Sequence, residues 1–324
     1  MSTRLKNRGL VISICMLLCM LAIAGCGNNT TKEEQGTETA APQTKSFEDS
    51  IGVKEIPINP KRIFSISATT QLLALGITPV GGLSYEIEQD YYLQSYADQI
   101  KLAGDYPPDF EAIIDLQPDL IIASSFVDAE VTEKLEKIAP VVMYPWGSNL
   151  YDQLRFIADI VDKKTEAEAW IKKHEEKVAI DKEEISKYVK PDETVAAIEI
   201  FKQTFQVAGN RNMGYVLHDL LGLKRLPEIQ KQIDEKDGFM VYTEGMSFEK
   251  LPEFNADYLI VKVNDTQAGS VEYFEQMQQS EIWKSLPAVK NGKVFVVPHD
   301  KWWSYTLFST DALLDEAVAL FENQ

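Results

Sequence analysis

Two glutamates, Glu111 and Glu249, stand in copies of one short pattern. The first copy reads Asp109-Phe-Glu-Ala-Ile113 and runs into Pro118-Asp-Leu-Ile-Ile-Ala-Ser124. The second reads Ser247-Phe-Glu-Lys-Leu251 and runs into Ala256-Asp-Tyr-Leu-Ile-Val261. Glu111 to Glu249 and Asp119 to Asp257 are both separations of 138 residues. Asp109 and Ser247 are N-cap residue types, so each Glu is placed in the first turn of a short helix. The helix dipole favours an acid there by about 0.3–1 kcal/mol, and a single copy would need no further explanation. Two copies at matched positions describe a paired docking surface.

Other chemistry is weaker. Ser247-Phe-Glu-Lys250 matches the Ser-x-x-Lys pattern of penicillin-binding enzymes, but no Lys-Thr-Gly or Ser-Asp-Asn accompanies it. Ser247 is better explained as an N-cap. There is no Gly-x-Ser-x-Gly and no phosphate loop, so no catalytic residue and no enzyme activity are expected. His174, His218 and His299 are scattered, which argues against a protein-ligated metal.

The elements that position these residues divide the chain. Arg4, Lys6 and Arg8 precede an apolar run from Leu10 to Ala24, shorter than the roughly 20 residues of a comfortable bilayer span. The run ends in Leu21-Ala-Ile-Ala-Gly-Cys26, which resembles a bacterial lipobox. A signal peptide is therefore expected over 1–25, with Cys26 lipidated by acyl chains such as palmitate. Cys15 and Cys19 leave with the signal, so the folded body has no disulfide and no thiolate-bound metal. Removing residues 1–25 takes the net charge from −18 to −21. A body this acidic is a poor partner for nucleic acid or anionic lipid. A polar tether without large side chains follows, over 26–48.

Beyond it, strand-like runs alternate with helical ones. Ile51 to Ile58, Arg62 to Ser67 and Thr78 to Leu83 read as strands, with a helix from Thr69 closed by Gly76. Buried runs at Leu120 to Ser124 and Pro140 to Tyr144 complete a parallel α/β lobe over 49–148. Leu150 to Val189 is helical and strongly charged, with an apolar stripe through Trp170, Ile171 and His174 and a break near Asp162. It reads as a connecting rod over 149–190, with His174 packed structurally. A second α/β lobe over 191–324 starts at Thr194-Val-Ala-Ala-Ile-Glu-Ile-Phe201. Its Leu221-Gly222 echoes Leu75-Gly76.

The stretches Phe110 to Ser124, Lys137-Ile-Ala-Pro-Val-Val142, Ser247 to Leu251 and Ile282 to Val294 resemble the solute-binding lipoproteins of iron–siderophore, haem and cobalamin ABC importers. The resemblance covers essentially the whole mature chain. It implies two Rossmann-like lobes joined by one long α-helix, with the ligand cleft between them. It also implies an extracytoplasmic, membrane-anchored monomer that serves a permease. Glu111 and Glu249 would then dock on permease arginines. The ligand would lie at the carboxyl ends of the strands. Loop residues there are Tyr85, Phe126 and Trp146 in the first lobe, and Arg211, Lys262, Trp302, Trp303 and Tyr305 in the second. Aromatic rings suit the apolar flanks of an Fe(III)–siderophore complex, and Arg or Lys suits its oxygens. Consecutive tryptophans cannot share one face, which favours the cleft over the core for Trp302 and Trp303. Few basic positions favour a hydroxamate over a highly charged tris-catecholate. Haem, with His218 or Met213 as axial ligand, and cobalamin are alternatives, as is a lipid-anchored sensor or adhesion module of the same fold.

Overall fold

Ile63-Phe-Ser-Ile66, Leu120-Ile-Ile-Ala-Ser124 and Val141-Val-Met-Tyr144 are buried at every position, so both faces of the sheet they form are covered. The computed structural model describes residues 43–322. The expected signal peptide, lipidated Cys26 and the tether up to residue 42 lie outside the described residues.

Eleven strands are described, in three sheets. β1 (Thr44–Asp49) and β2 (Gly52–Pro57) form an antiparallel hairpin. β3 (Ile63–Ile66), β4 (Gly81–Gly82), β5 (Lys101–Leu102), β6 (Leu120–Ser124) and β7 (Val141–Tyr144) make a parallel sheet in the order β5-β4-β3-β6-β7. β8 (Val195–Phe201), β9 (Thr204–Val207), β10 (Tyr258–Val263) and β11 (Val294–Val297) make the second sheet, ordered β11-β10-β8-β9. Only β9 runs antiparallel to its neighbour there. The fold is α/β with two lobes.

The repeated pattern does the same structural work in both lobes. Asp109 caps the helix Phe110–Asp115 by accepting from the Glu111 and Ala112 amides. Ser247 caps the 3₁₀ turn Phe248–Phe254. The Asp119 carboxylate then accepts the amides of Lys61 and Arg62, immediately before β3. Asp257 accepts the Thr194 amide and hydroxyl, immediately before β8. Each Asp thus fixes where the neighbouring strand starts, and so its register. Gly76 and Gly222, at φ 75° and 73°, end helical segments in corresponding places.

Two expectations need correction. β1 falls inside the stretch read as tether. Polar composition misled there, because one residue anchors the strand: Phe47 packs edge-on to Phe156 at 5.4 Å between ring centres, and Lys45 donates to the Asp159 carbonyl. The long helix begins at Lys164, not near Leu150. A separate helix, Leu150–Ile160, precedes it, and Asp162 adopts φ 57° between them. Leu150, Leu154 and Ile157 pack in the first lobe's core.

The helix Lys164–Ile185 has 22 residues and links the two cores. Ala167 and Ile171 pack in one, Ile185 in the other. The C-terminal helix Leu307–Glu322 does the same, with Leu307 in the first core and Leu313, Leu314 and Phe321 in the second. Lys177 ties the pair by reaching Asp311 and Asp315.

His174 sits on the connecting helix, stacked on Trp170 (5.0 Å, 13°), with Nδ1 2.6 Å from the Tyr151 hydroxyl. Burial pushes its pKa down to about 4. The folded value lies below the unfolded one, so protonation favours the unfolded chain. Stability present above about pH 6.5 is lost as pH falls toward 4. His174 should contribute about 2 kcal/mol to the loss between pH 7 and pH 4.5. Urea unfolding of His174→Phe at both values checks this: a loss as large as that of the unaltered chain refutes it.

Candidate functional site

The carboxyl ends of β8, β10 and β11 converge on one cleft. Glu199 and Phe201 come from the end of β8, Lys262 and Asn264 from the end of β10, and His299 follows β11. The first lobe closes the opposite wall with Glu88 and Gln89 from the helix Ser84–Gln89, and with Gln94. The open cleft has a volume of about 850 Å³, within the range of small-molecule sites.

Amide side chains dominate the walls: Gln89, Gln94, Gln206, Asn212, Asn264 and Gln267. Each offers both donors and an acceptor. The aromatic lining is Phe201, Tyr242 and Trp303. At the floor the Lys262 ammonium lies 3.0 Å from Glu199 and donates to the Tyr242 hydroxyl at 2.9 Å. The pair is buried, with side-chain exposures of 1% and 7%. Burial pushes Lys262 down from the ordinary lysine value while the Glu199 carboxylate holds it up. Burial and the Lys262 charge lower His299 as well, which keeps it neutral near pH 7.

The structure divides the residues anticipated for ligand contact. Lys262 and Trp303 line the cleft. Trp303 also crosses between lobes, donating Nε1–H to the Gln89 carbonyl at 3.2 Å. Trp302 does not reach the cleft. It is 1% exposed in the second lobe's core, and its indole N–H donates to Glu316 at 3.0 Å. On the helical turn His299–Trp302 the two tryptophans point apart, so one was bound to face inward.

Phe126, Trp146, Arg211 and Tyr305 form a second group, a run of side chains that crosses between the lobes. Phe126 meets Trp146 at 5.7 Å, and Trp146 meets Phe239 of the other lobe at 5.4 Å. The Arg211 guanidinium lies 4.5 Å from the Phe239 ring centre and 5.3 Å from that of Tyr305. It donates to the Gly147 carbonyl across the gap at 3.1 Å. Tyr85 is half-buried elsewhere in the first lobe, its hydroxyl 2.9 Å from Ser67 Oγ. Glu86 accepts the Ser67 and Thr69 amides there, and holds Ser67 at φ 65°.

Residues missed in the sequence include Glu199, Tyr242 and Phe239. Glu199 sits in an apolar strand run, and a charged residue in such a run was the one available signal. Phe239 follows Gly238 in a loop with no periodicity. His218 and Met213, considered as axial ligands, are core residues. His218 Nδ1–H donates to the Leu223 carbonyl, and Met213 is fully buried. Glu111 and Glu249 are both exposed.

A family model described as periplasmic binding protein matches residues 67–301, most of the described chain. The chain belongs to the periplasmic binding protein family. Two relatives in Bacillus subtilis (strain 168) support this. One is the iron(3+)-hydroxamate-binding protein YxeB, 28% identical over 96% of this chain and 95% of that protein. The other is the iron(3+)-hydroxamate-binding protein FhuD, 32% identical over 86% and 87%. Among solved structures, Staphylococcus aureus SirA complexed with staphyloferrin B superposes with a TM-score of 0.74 at 28% identity, over 86% of this chain and 99% of that one. The chain is thus a binding protein of the siderophore-binding kind.

Proposed function

We propose that this protein captures a ferric siderophore, of hydroxamate type, and delivers it to an ABC permease without catalysing a reaction. The observation that carries this is the 850 Å³ amide-walled cleft at the strand ends, lined from both lobes. Two relatives named for iron(3+)-hydroxamate support the ligand class. A hydroxamate chelate presents carbonyl and N–O oxygens together with amide spacers, and the Asn and Gln walls complement both. Cys26, outside the described residues, would hold the body at the extracytoplasmic face through lipid. Glu111 and Glu249 would face the permease. The first lobe would run from Thr44 through the helix Leu150–Ile160, the helix Lys164–Ile185 would be the connector, and the second lobe would occupy 191–324. The protein would act as a monomer.

Tryptophan fluorescence tests the reading. Trp303 lines the cleft and Trp146 lies in the cross-lobe aromatic run. A ferric trihydroxamate should quench saturably at submicromolar concentration, and Trp303→Phe should remove a large part of the signal. A folded protein that responds to haem or cobalamin, and to no ferric hydroxamate, would overturn the ligand class. The body used must retain Thr44 onward, because β1 is part of the fold.

A further inference from the structure

The loop 145–149 leads from β7 into the helix Leu150–Ile160 and carries Trp146, which meets Phe239 of the other lobe. The carbonyls of 145–148 are all taken, but in two directions. The Ser148 amide and hydroxyl turn back onto the Pro145 carbonyl. The Gln153 side chain takes the carbonyls of Trp146 and Ser148, donating Nε2–H to each at 3.0 Å. The Gly147 carbonyl lies between those two and is turned the other way, where Arg211 of the second lobe donates to it at 3.1 Å.

Gln153 is itself held. It is 4% exposed, and its Oε1 accepts from Gln71 Nε2 at 3.0 Å. Gln71 is 3% exposed on the helix Thr69–Ala74, and its own Oε1 accepts the Thr70 hydroxyl at 3.1 Å. Gln153 thus commits both amide hydrogens to the loop and its oxygen to Gln71, which leaves the amide one orientation. A buried amide satisfied at every position fixes whatever it bonds, because any other placement leaves polar groups unpaired.

The loop in turn bears on the cleft. Arg211 is followed by Asn212, which lines the cleft and donates to the Trp303 carbonyl. Trp303 lines it too, and donates to Gln89 of the first lobe. The bond between Arg211 and Gly147 therefore anchors the segment from which one cleft wall is made.

We infer that Gln153, oriented by Gln71, is a positioning residue for ligand capture. It sets the 145–149 loop so that the Gly147 carbonyl meets Arg211, which holds the two walls in register before ligand arrives. Walls already in register need less ordering on binding, so affinity depends on that contact. The effect on affinity rests on the ferric hydroxamate reading above.

Two measurements on the purified full chain test it. With fluorotryptophan incorporated, the five tryptophans should give separate fluorine resonances, and Trp146→Phe assigns that of Trp146. Gln153→Met keeps the length of the side chain without its amide. It should shift the Trp146 resonance and leave that of Trp283, buried in the second lobe's core, in place. Gln71→Met leaves both loop bonds and should move the Trp146 resonance the same way by less, and it decides the matter if Gln153→Met does not fold. An unmoved Trp146 resonance in either folded variant would overturn the inference. Gln153→Met should also weaken binding of a ferric trihydroxamate about ten-fold, the size of one net hydrogen bond. Arg211→Met with Gln153→Met should bind no more weakly than Arg211→Met alone, because both break one contact. Additive losses would mean that Gln153 does not act through Arg211, and would overturn the inference as well. If the unaltered, folded chain binds no ferric hydroxamate, the role in capture falls with that reading, while the fluorine resonances still decide whether Gln153 sets the cross-lobe contact.

Discussion

A chain that carries Glu111→Ala and Glu249→Ala together should bind its ferric chelate as the unaltered protein does, and support no iron uptake. Neither glutamate lines the cleft, so ligand contacts are untouched. Neither supplies its own helix cap, since Asp109 and Ser247 do that. The folding cost is therefore the dipole contribution alone, about 0.3–1 kcal/mol per site. What is lost is one exposed carboxylate on each lobe. A partner that must recognise both lobes at once would use such a pair, because charge-assisted contacts at two separated points fix orientation as well as affinity. Radiolabelled iron uptake in cells that express the cognate permease reads the effect, with ligand affinity measured alongside. Uptake at the unaltered level would remove the docking role. Weakened ligand affinity would show that the two residues act on the cleft instead. Each single substitution should give partial uptake, since one contact point remains.

Lys262→Met should unfold the second lobe at much lower denaturant. Lys262 and Glu199 are both buried, so the carboxylate would remain inside without its ammonium. Removing one member of such a pair typically costs about 3–5 kcal/mol, more than a buried pair usually contributes over an apolar replacement. At roughly 2–4 °C per kcal/mol, the melting temperature should fall on the order of 10 °C. Glu199→Gln added to Lys262→Met should recover most of that loss, because the stranded charge is gone and the amide can still meet the Tyr242 hydroxyl. Urea unfolding of the single and double variants decides it. A single variant as stable as the unaltered chain would mean that water reaches Glu199 and that the pair is not dry. Ligand affinity should stay reduced in the double variant, since Lys262 lines the cleft.

The chain's local order carried much of the architecture. Buried runs such as Leu120 to Ala123 and Tyr258 to Val261 are apolar because both faces of a parallel sheet are covered, and that composition is legible without contacts. The 138-residue repeat was legible for a similar reason: a cap, a Glu and an Asp at fixed spacing answer to the geometry of one short helix leading into one strand. The role of Asp119 and Asp257 was not, because each pins a strand that lies about sixty residues earlier in the chain. Long-range pairing decided the rest. Phe47 turned a polar stretch into a strand by meeting Phe156. Trp302 and Trp303 are alike in sequence, and only the packing of the second lobe chose which went inside. The amide walls come from separate short elements and loops of both lobes, brought together where β8, β10 and β11 end, and no one segment's composition states what it will face. The buried Lys262–Glu199 pair belongs to the same class: each residue lies in a strand run of its own, and only the register of β8 against β10 sets Lys262 beside Glu199.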